Sequence, residues 1–193
     1  LQKEFGDTPS GNFEYPRRSS RVLARNLRYV PMRLVHGTAD TRVPYSQTSR
    51  MYNVAMPPYY DPVATFKQLQ THTGGHEDYV PGISESDLTF LAAHSLAENP
   101  TELNIITDEG KEYYWLGIQK AGVAPRNWRG FVEVDVRFDP ITSTIWMKAQ
   151  DGSYAEGRPI TVTLDLVRMG LDAGTTYDIE EADPQTGEFF FTP

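Results

Sequence analysis

The chain has 193 residues, 39% of them hydrophobic, with 26 acidic against 18 basic side chains and a net charge of −8. That length and composition describe a folded protein of one large or two small domains, and no apolar run approaches the ~20 residues of a membrane-spanning helix. There is no cysteine, which excludes disulfides and thiolate chemistry but fixes no compartment.

Residues 1–20 are polar and rich in turn formers, with Gly6, Pro9, Gly11 and Pro16. Ser20 to Arg28 predicts a short helix, with Ser19 or Ser20 as N-cap and Val22, Leu23 and Leu27 on its apolar face. The arginines around it, Arg17, Arg18, Arg21, Arg25 and Arg28, read as a solvated face or a set of ion pairs. Met32 to Val35 is a short, β-compatible apolar run with Pro31 before it and Gly37 after it, the mark of a buried strand ending in a tight turn. Just past that turn stands a carboxylate, Asp40, and Pro44 stiffens the exit. A second helix is expected from Ser46 to Val54 or Ala55, stopped by Pro57-Pro58.

Tyr59-Tyr60-Asp61-Pro62 reads as a turn, and Ala64 to Gln70 as a second strand leading into Gly74-Gly75-His76. An acid and a histidine, each on the loop after a parallel strand, sit where open α/β sheets place their chemistry. His72 is expected to face solvent or cap a loop. A helix from Asp87 to about Ala97 carries Leu88, Leu91, Ala92 and Leu96 as an apolar stripe, with His94 as an ordinary helix residue.

Glu98-Asn99-Pro100 marks a boundary between a domain of residues 1–98 and one of residues 99–193. Beyond it the pattern alternates. Glu102–Thr107, Glu112–Gln119, Phe131–Phe138, Thr144–Ala149, Ile160–Val167, Thr176–Glu180 and Glu188–Phe191 read as strands, punctuated by turn signals such as Asp108-Glu109-Gly110 and Asp139-Pro140. This spacing suggests an immunoglobulin-like β-sandwich. The first domain carries ten basic and ten acidic side chains, the second eight and sixteen. That imbalance argues against nucleic acid as a partner of the second domain.

The stretch His36-Gly37-Thr38-Ala39-Asp40-Thr41-Arg42-Val43-Pro44, followed by His76 at 36 positions from Asp40, resembles the end of an α/β-hydrolase catalytic domain. The resemblance is closest to the prolyl-oligopeptidase-like serine peptidases, whose H-G-x-x-D-x-x-V-P turn it fits at every fixed position. Tyr15-Pro16-Arg17-Arg18-Ser19-Ser20 and Ala24-Arg25-Asn26-Leu27 look like the segments that lead into that strand, so the resemblance covers roughly residues 1–97. It implies an α/β portion before the sandwich, with Asp40 as the triad acid and His76 as the triad base. The family's nucleophile sits on a G-x-S-x-G elbow ahead of the acid. No such pentapeptide is present, and Gly82-Ile83-Ser84-Glu85-Ser86 ends in serine and falls after His76.

The chain also opens on Leu1 rather than Met. The expectation is therefore the carboxyl-terminal part of a longer serine hydrolase acting on peptides. Its partner would be the N-terminal remainder bearing the serine, or a second copy of the chain. An esterase, or a non-catalytic binding or assembly module, are the alternatives. No cofactor, nucleic acid or membrane is implied. A metal has no H-E-x-x-H or comparable spacing to use, and His76-Glu77-Asp78 is too compact to make a facial set alone. Tyr113, Tyr114, Trp115, Trp128 and Trp146 could form a sugar platform, although aromatics at alternating strand positions are more often core.

Overall fold

The computed structural model describes residues 13–58, 67–76, 83–123, 130–151, 157–172, 174, 176–183 and 188–193. The chain divides into two compact units, Ser20–Ala97 on the one hand and Leu1–Ser19 with Glu98–Pro193 on the other.

In the 20–97 unit, Val22–Leu27 forms a 3-10 helix rather than an α-helix, closed by i to i+3 bonds such as Arg28 N–H to Arg25 C=O at 3.3 Å. So short a segment gains too few bonds to offset α-helix nucleation, and its N-cap position, Arg21, offers no side-chain acceptor. Strand β1 (Met32–Gly37) follows and pairs in parallel with β2 (Lys67–His72), Leu34 opposite Leu69 and Gly37 opposite His72.

Helix α2, Tyr45–Arg50, lies between these strands in sequence. It widens into a π-turn over Met51–Ala55, where Met56 N–H reaches the Met51 carbonyl at 3.0 Å. That wider turn ends just before Pro57, which has no N–H to extend it. Met51 and Met56 join Ala24 as the buried cluster, with Leu27, Met32, Leu34 and Ala55 against it. Helix α3, Ile83–Ala92, starts and stops about four residues earlier than the apolar stripe predicts. Phe90 is its buried anchor, while Leu88 and Leu91 are 67% and 62% exposed. Asp87 pairs with Arg33 of β1 at 3.1 Å, and Ser86 Oγ accepts from the same guanidinium at 2.7 Å.

The other unit is antiparallel β. Strands β3 (Glu102–Thr107), β6 (Val132–Asp139), β7 (Thr144–Asp151), β9 (Asp178–Asp183) and β10 (Glu188–Thr192) form one sheet in the order β3-β6-β7-β10-β9. Strands β4 (Lys111–Tyr113), β5 (Leu116–Lys120) and β8 (Ile160–Leu164) form a second, in the order β4-β5-β8. Val132, Val134, Val136 and Phe138 turn inward while the charged residues between them turn out.

The core gathers these with Leu103, Ile105, Trp115, Leu116, Ile118 and Ile145. At ~1.5–3 kcal/mol per buried large apolar side chain, this is the main source of the unit's stability. Trp115 lies edge-on to Phe138 at 5.6 Å and donates its Nε1–H to Pro100 C=O at 2.8 Å. Lys120 Nζ of β5, with no exposed side-chain surface, reaches Asp151 of β7 at 3.2 Å and ties the two sheets together. The short helix α1, Glu14–Arg17, belongs to this unit through Phe13 against Phe131 (4.9 Å, edge-on) and an ion pair from Arg17 to Asp108.

Two expectations about the fold are corrected. The α/β-hydrolase fold implied by the resemblance is not the one found. Among the described residues the structure is mostly β-sheet, 38% strand against 20% helix, in three sheets with three short α-helices. The motif residues form one parallel strand pair, and a doubly wound sheet requires several such units with helices long enough to cover both faces. The sandwich also departs from the immunoglobulin arrangement, in which the second and third strands lie in opposite sheets. Here β4 and β5, the second and third strands after residue 98, form a hairpin in one sheet, with Tyr113 opposite Leu116. Alternation reports which face a residue takes and is silent on which strand it pairs with.

The expected turn at residues 59–62, the first residues of the expected strand at 64–66, Glu77 and Asp78 lie outside the described residues, as does Trp128.

Candidate functional site

Strand β1 runs on through His36 and Gly37, and a β-turn closed by Asp40 N–H to Gly37 C=O at 3.1 Å carries the chain to Asp40. Gly37 is needed there for space. A Cβ at that position would collide with the carbonyl oxygens of both Gly74 and Gly75. The close approach lets the β1 turn grip the loop after β2, since Thr38 N–H donates to His72 C=O at 2.7 Å and Ala39 N–H to Gly74 C=O at 3.1 Å. His72 Nδ1 accepts from Gly74 N–H at 3.1 Å and shapes the same loop.

Residue 76 is thereby delivered to residue 40. His76 Nδ1 lies 2.8 Å from Asp40 Oδ2. The other oxygen, Oδ1, accepts from the amides of Arg42 at 2.8 Å and Val43 at 2.9 Å. The Asp40 side chain is 4% exposed and that of His76 42%. Burial pushes the Asp40 carboxyl up, but the amide of Val43, the His76 imidazole and the amide of Arg42 outweigh it and hold its pKa at about 2. Asp40 is thus an anion at neutral pH. An anion accepts, so the imidazole presents Nδ1–H to it, and in the neutral ring Nε2 is then the acceptor. Among the described residues none binds that Nε2, and Ser86 is taken up by Arg33.

Sequence reasoning quoted His36 only as a fixed position of the motif, with no role, and missed Thr48. The His36 ring is buried, with Nε2 2.9 Å from Val43 C=O and Nδ1 2.7 Å from Thr48 Oγ1. The available signal was a histidine directly after the apolar run Met32–Val35 and a hydroxyl twelve residues later on the following helix.

Other candidates are placed elsewhere. His94 Nδ1 bonds Phe90 C=O at 2.7 Å at the end of α3. Among the described residues, no three His, Asp or Glu side chains converge as metal ligands do. Among the described residues, the aromatics of the expected platform take separate places. Trp115 is core, Tyr113 donates to Thr107 Oγ1 at 2.8 Å, Tyr114 occupies a turn at φ 56°, and Trp146 lies beneath the Arg137 guanidinium at 5.0 Å.

Compared with protein-family models, curated proteins and solved structures, the chain matches none.

Proposed function

We propose that Asp40 and His76 are the acid and base of a Ser-His-Asp triad for acyl transfer. The serine is supplied from outside this chain, in a serine peptidase of the prolyl-oligopeptidase-like kind. One observation carries this reading: a nearly buried, ionised carboxylate at 2.8 Å from Nδ1 of an imidazole whose other nitrogen has no partner among the described residues. A serine hydroxyl is a weak nucleophile until an imidazole takes its proton, and a carboxylate must hold that imidazole in the Nδ1–H tautomer and stabilise the cation it becomes. Nε2 of His76 would accept the serine proton and return it to the leaving amine. Asp40 would stay ionised throughout, which its low pKa favours.

The reading is tested by Asp40→Asn in the serine-bearing enzyme. The two backbone amides at Oδ1 would keep the Asn oxygen, so its NH2 would face His76 Nδ1 and force the imidazole into the Nε2–H form. Turnover of peptide substrate should fall on the order of 10⁴-fold with the fold intact. The chain on its own should leave a fluorophosphonate probe unreacted. Unchanged turnover in Asp40→Asn, or stoichiometric labelling of a serine in this chain, would count against the proposal.

A further inference from the structure

We propose that His36 is a positioning residue for the Asp40–His76 couple, an imidazole that straps the acid turn to the start of α2. The inference rests on the reading of that couple given above. Both ring nitrogens of His36 are committed, Nε2 at 2.9 Å from Val43 C=O and Nδ1 at 2.7 Å from Thr48 Oγ1. A carbonyl only accepts, so Nε2 carries a proton; in the neutral ring Nδ1 then accepts and the Thr48 hydroxyl donates. One tautomer satisfies both partners.

The strap therefore joins three places: the end of β1, the far end of the acid turn and the first turn of α2. Val43 is held from both sides, its N–H by Asp40 Oδ1 at 2.9 Å and its C=O by His36. Through Val43, the His36 ring sets where the Asp40 carboxylate lies relative to the strand. His36 does not compete for the catalytic oxygen. Its Nε2 stands 3.6 Å from Asp40 Oδ2, beyond hydrogen-bond reach, with its proton already on Val43. The Tyr45 ring packs edge-on at 5.7 Å and restricts the imidazole further. A displacement of about 1 Å in the carboxylate is enough to break a 2.8 Å contact, and misplacement of that size costs on the order of 10²-fold in catalysis.

The test is a long-range 1H–15N spectrum of the imidazoles in the full chain at mildly alkaline pH, where imidazoles are neutral. It reads directly which nitrogen of each ring carries the proton. The chain should show His36 as Nε2–H and His76 as Nδ1–H. Asp40→Asn is the control for the couple and should move His76 to Nε2–H; if it does not, the couple itself fails, independently of His36. With the couple established, His36→Phe should lose the His76 Nδ1–H signal while the β1 and β2 amide signals remain. His36→Gln, whose side-chain amide can donate to Val43 C=O, should recover it. A His76 Nδ1–H signal undiminished in His36→Phe overturns the proposal. If His36→Phe does not fold, Thr48→Val, which keeps the shape and removes the donor, decides by the same criterion.

Discussion

The Asp40 carboxylate does two jobs with its two oxygens, one closing its own turn onto the amides of Arg42 and Val43, the other meeting His76. Its pKa, depressed from an ordinary 3.8 to about 2, links the turn to pH. A carboxyl that is more acidic when folded contributes stability that is full above its unfolded value and is lost as pH falls through its folded value. The turn should therefore hold at pH 4 and above and loosen as pH drops from about 4 towards about 2. A 13C titration of the Asp40 carboxyl should give a midpoint near about 2, with exchange protection of the Arg42 and Val43 amides lost together. A midpoint at the ordinary 3.8 would mean that those bonds do not form in solution.

Asp40 and His76 could be singled out because each follows a strand-like run and the spacing of residues 36–44 and 76 resembles a known motif, and Gly37 permits the close approach that joins their two loops. The contacts of His36 were not legible, since its partners are a carbonyl at the end of the acid turn and a hydroxyl on α2 that only the folded chain brings near.

Between elements, backbone contact decides whether the two loops meet. Gly37→Ala would place a methyl group against the carbonyls of Gly74 and Gly75, both backbone and unable to swing aside as a side chain could. The substitution should cost roughly 1–3 kcal/mol by overpacking and separate His76 from Asp40. A urea melt and the loss of the His76 Nδ1–H resonance would register both effects, and a variant as stable as the parent would show that the loop has slack.

In the β unit the corresponding tie is Lys120 to Asp151, whose second oxygen also accepts from Gly157 N–H at 2.8 Å. Removing the partner of a buried charge costs more than replacing that charge by an apolar chain of similar size. Asp151→Ala should therefore lower the urea midpoint more than Lys120→Met, by a difference of about 2 kcal/mol. Equal effects would mean that Lys120 finds another carboxylate. Alternation in residues 131–138 made the inward face of β6 readable from sequence. The insertion of β10 between β7 and β9 was not, because pairing across the sheet depends on contacts far apart in the chain.

For the molecule as a whole, the two units differ in how much apolar surface they hide. Among the described residues, fifteen buried hydrophobics lie in the β unit after residue 98, against Ala24, Met51, Met56 and Phe90 in the 20–97 unit. The local motif in residues 36–44 gave no view of this disparity. A resemblance over a turn covers only that turn, whereas the fold class follows from how many strands and helices surround it, and among the described residues those are mostly antiparallel strands.

The disparity predicts unequal protection, since local opening is easiest where few apolar contacts are lost. In native-state hydrogen exchange, the amides of β1 and β2 should exchange well before those of β6 and β7. The 20–97 unit also presents Leu88, Leu91, Leu96, Val54 and Val35 to solvent, and among the described residues its sheet has only two strands. Exposed apolar surface of this kind recruits a partner surface, and unpaired strand edges recruit a strand. Purified alone, the chain should self-associate in sedimentation at micromolar concentration, and Leu88→Lys with Leu91→Lys should reduce that association without unfolding the β unit. A monodisperse 21.8 kDa species with β1 as protected as β6 would instead show that so small an apolar core and one parallel strand pair are enough to hold residues 20–97 together.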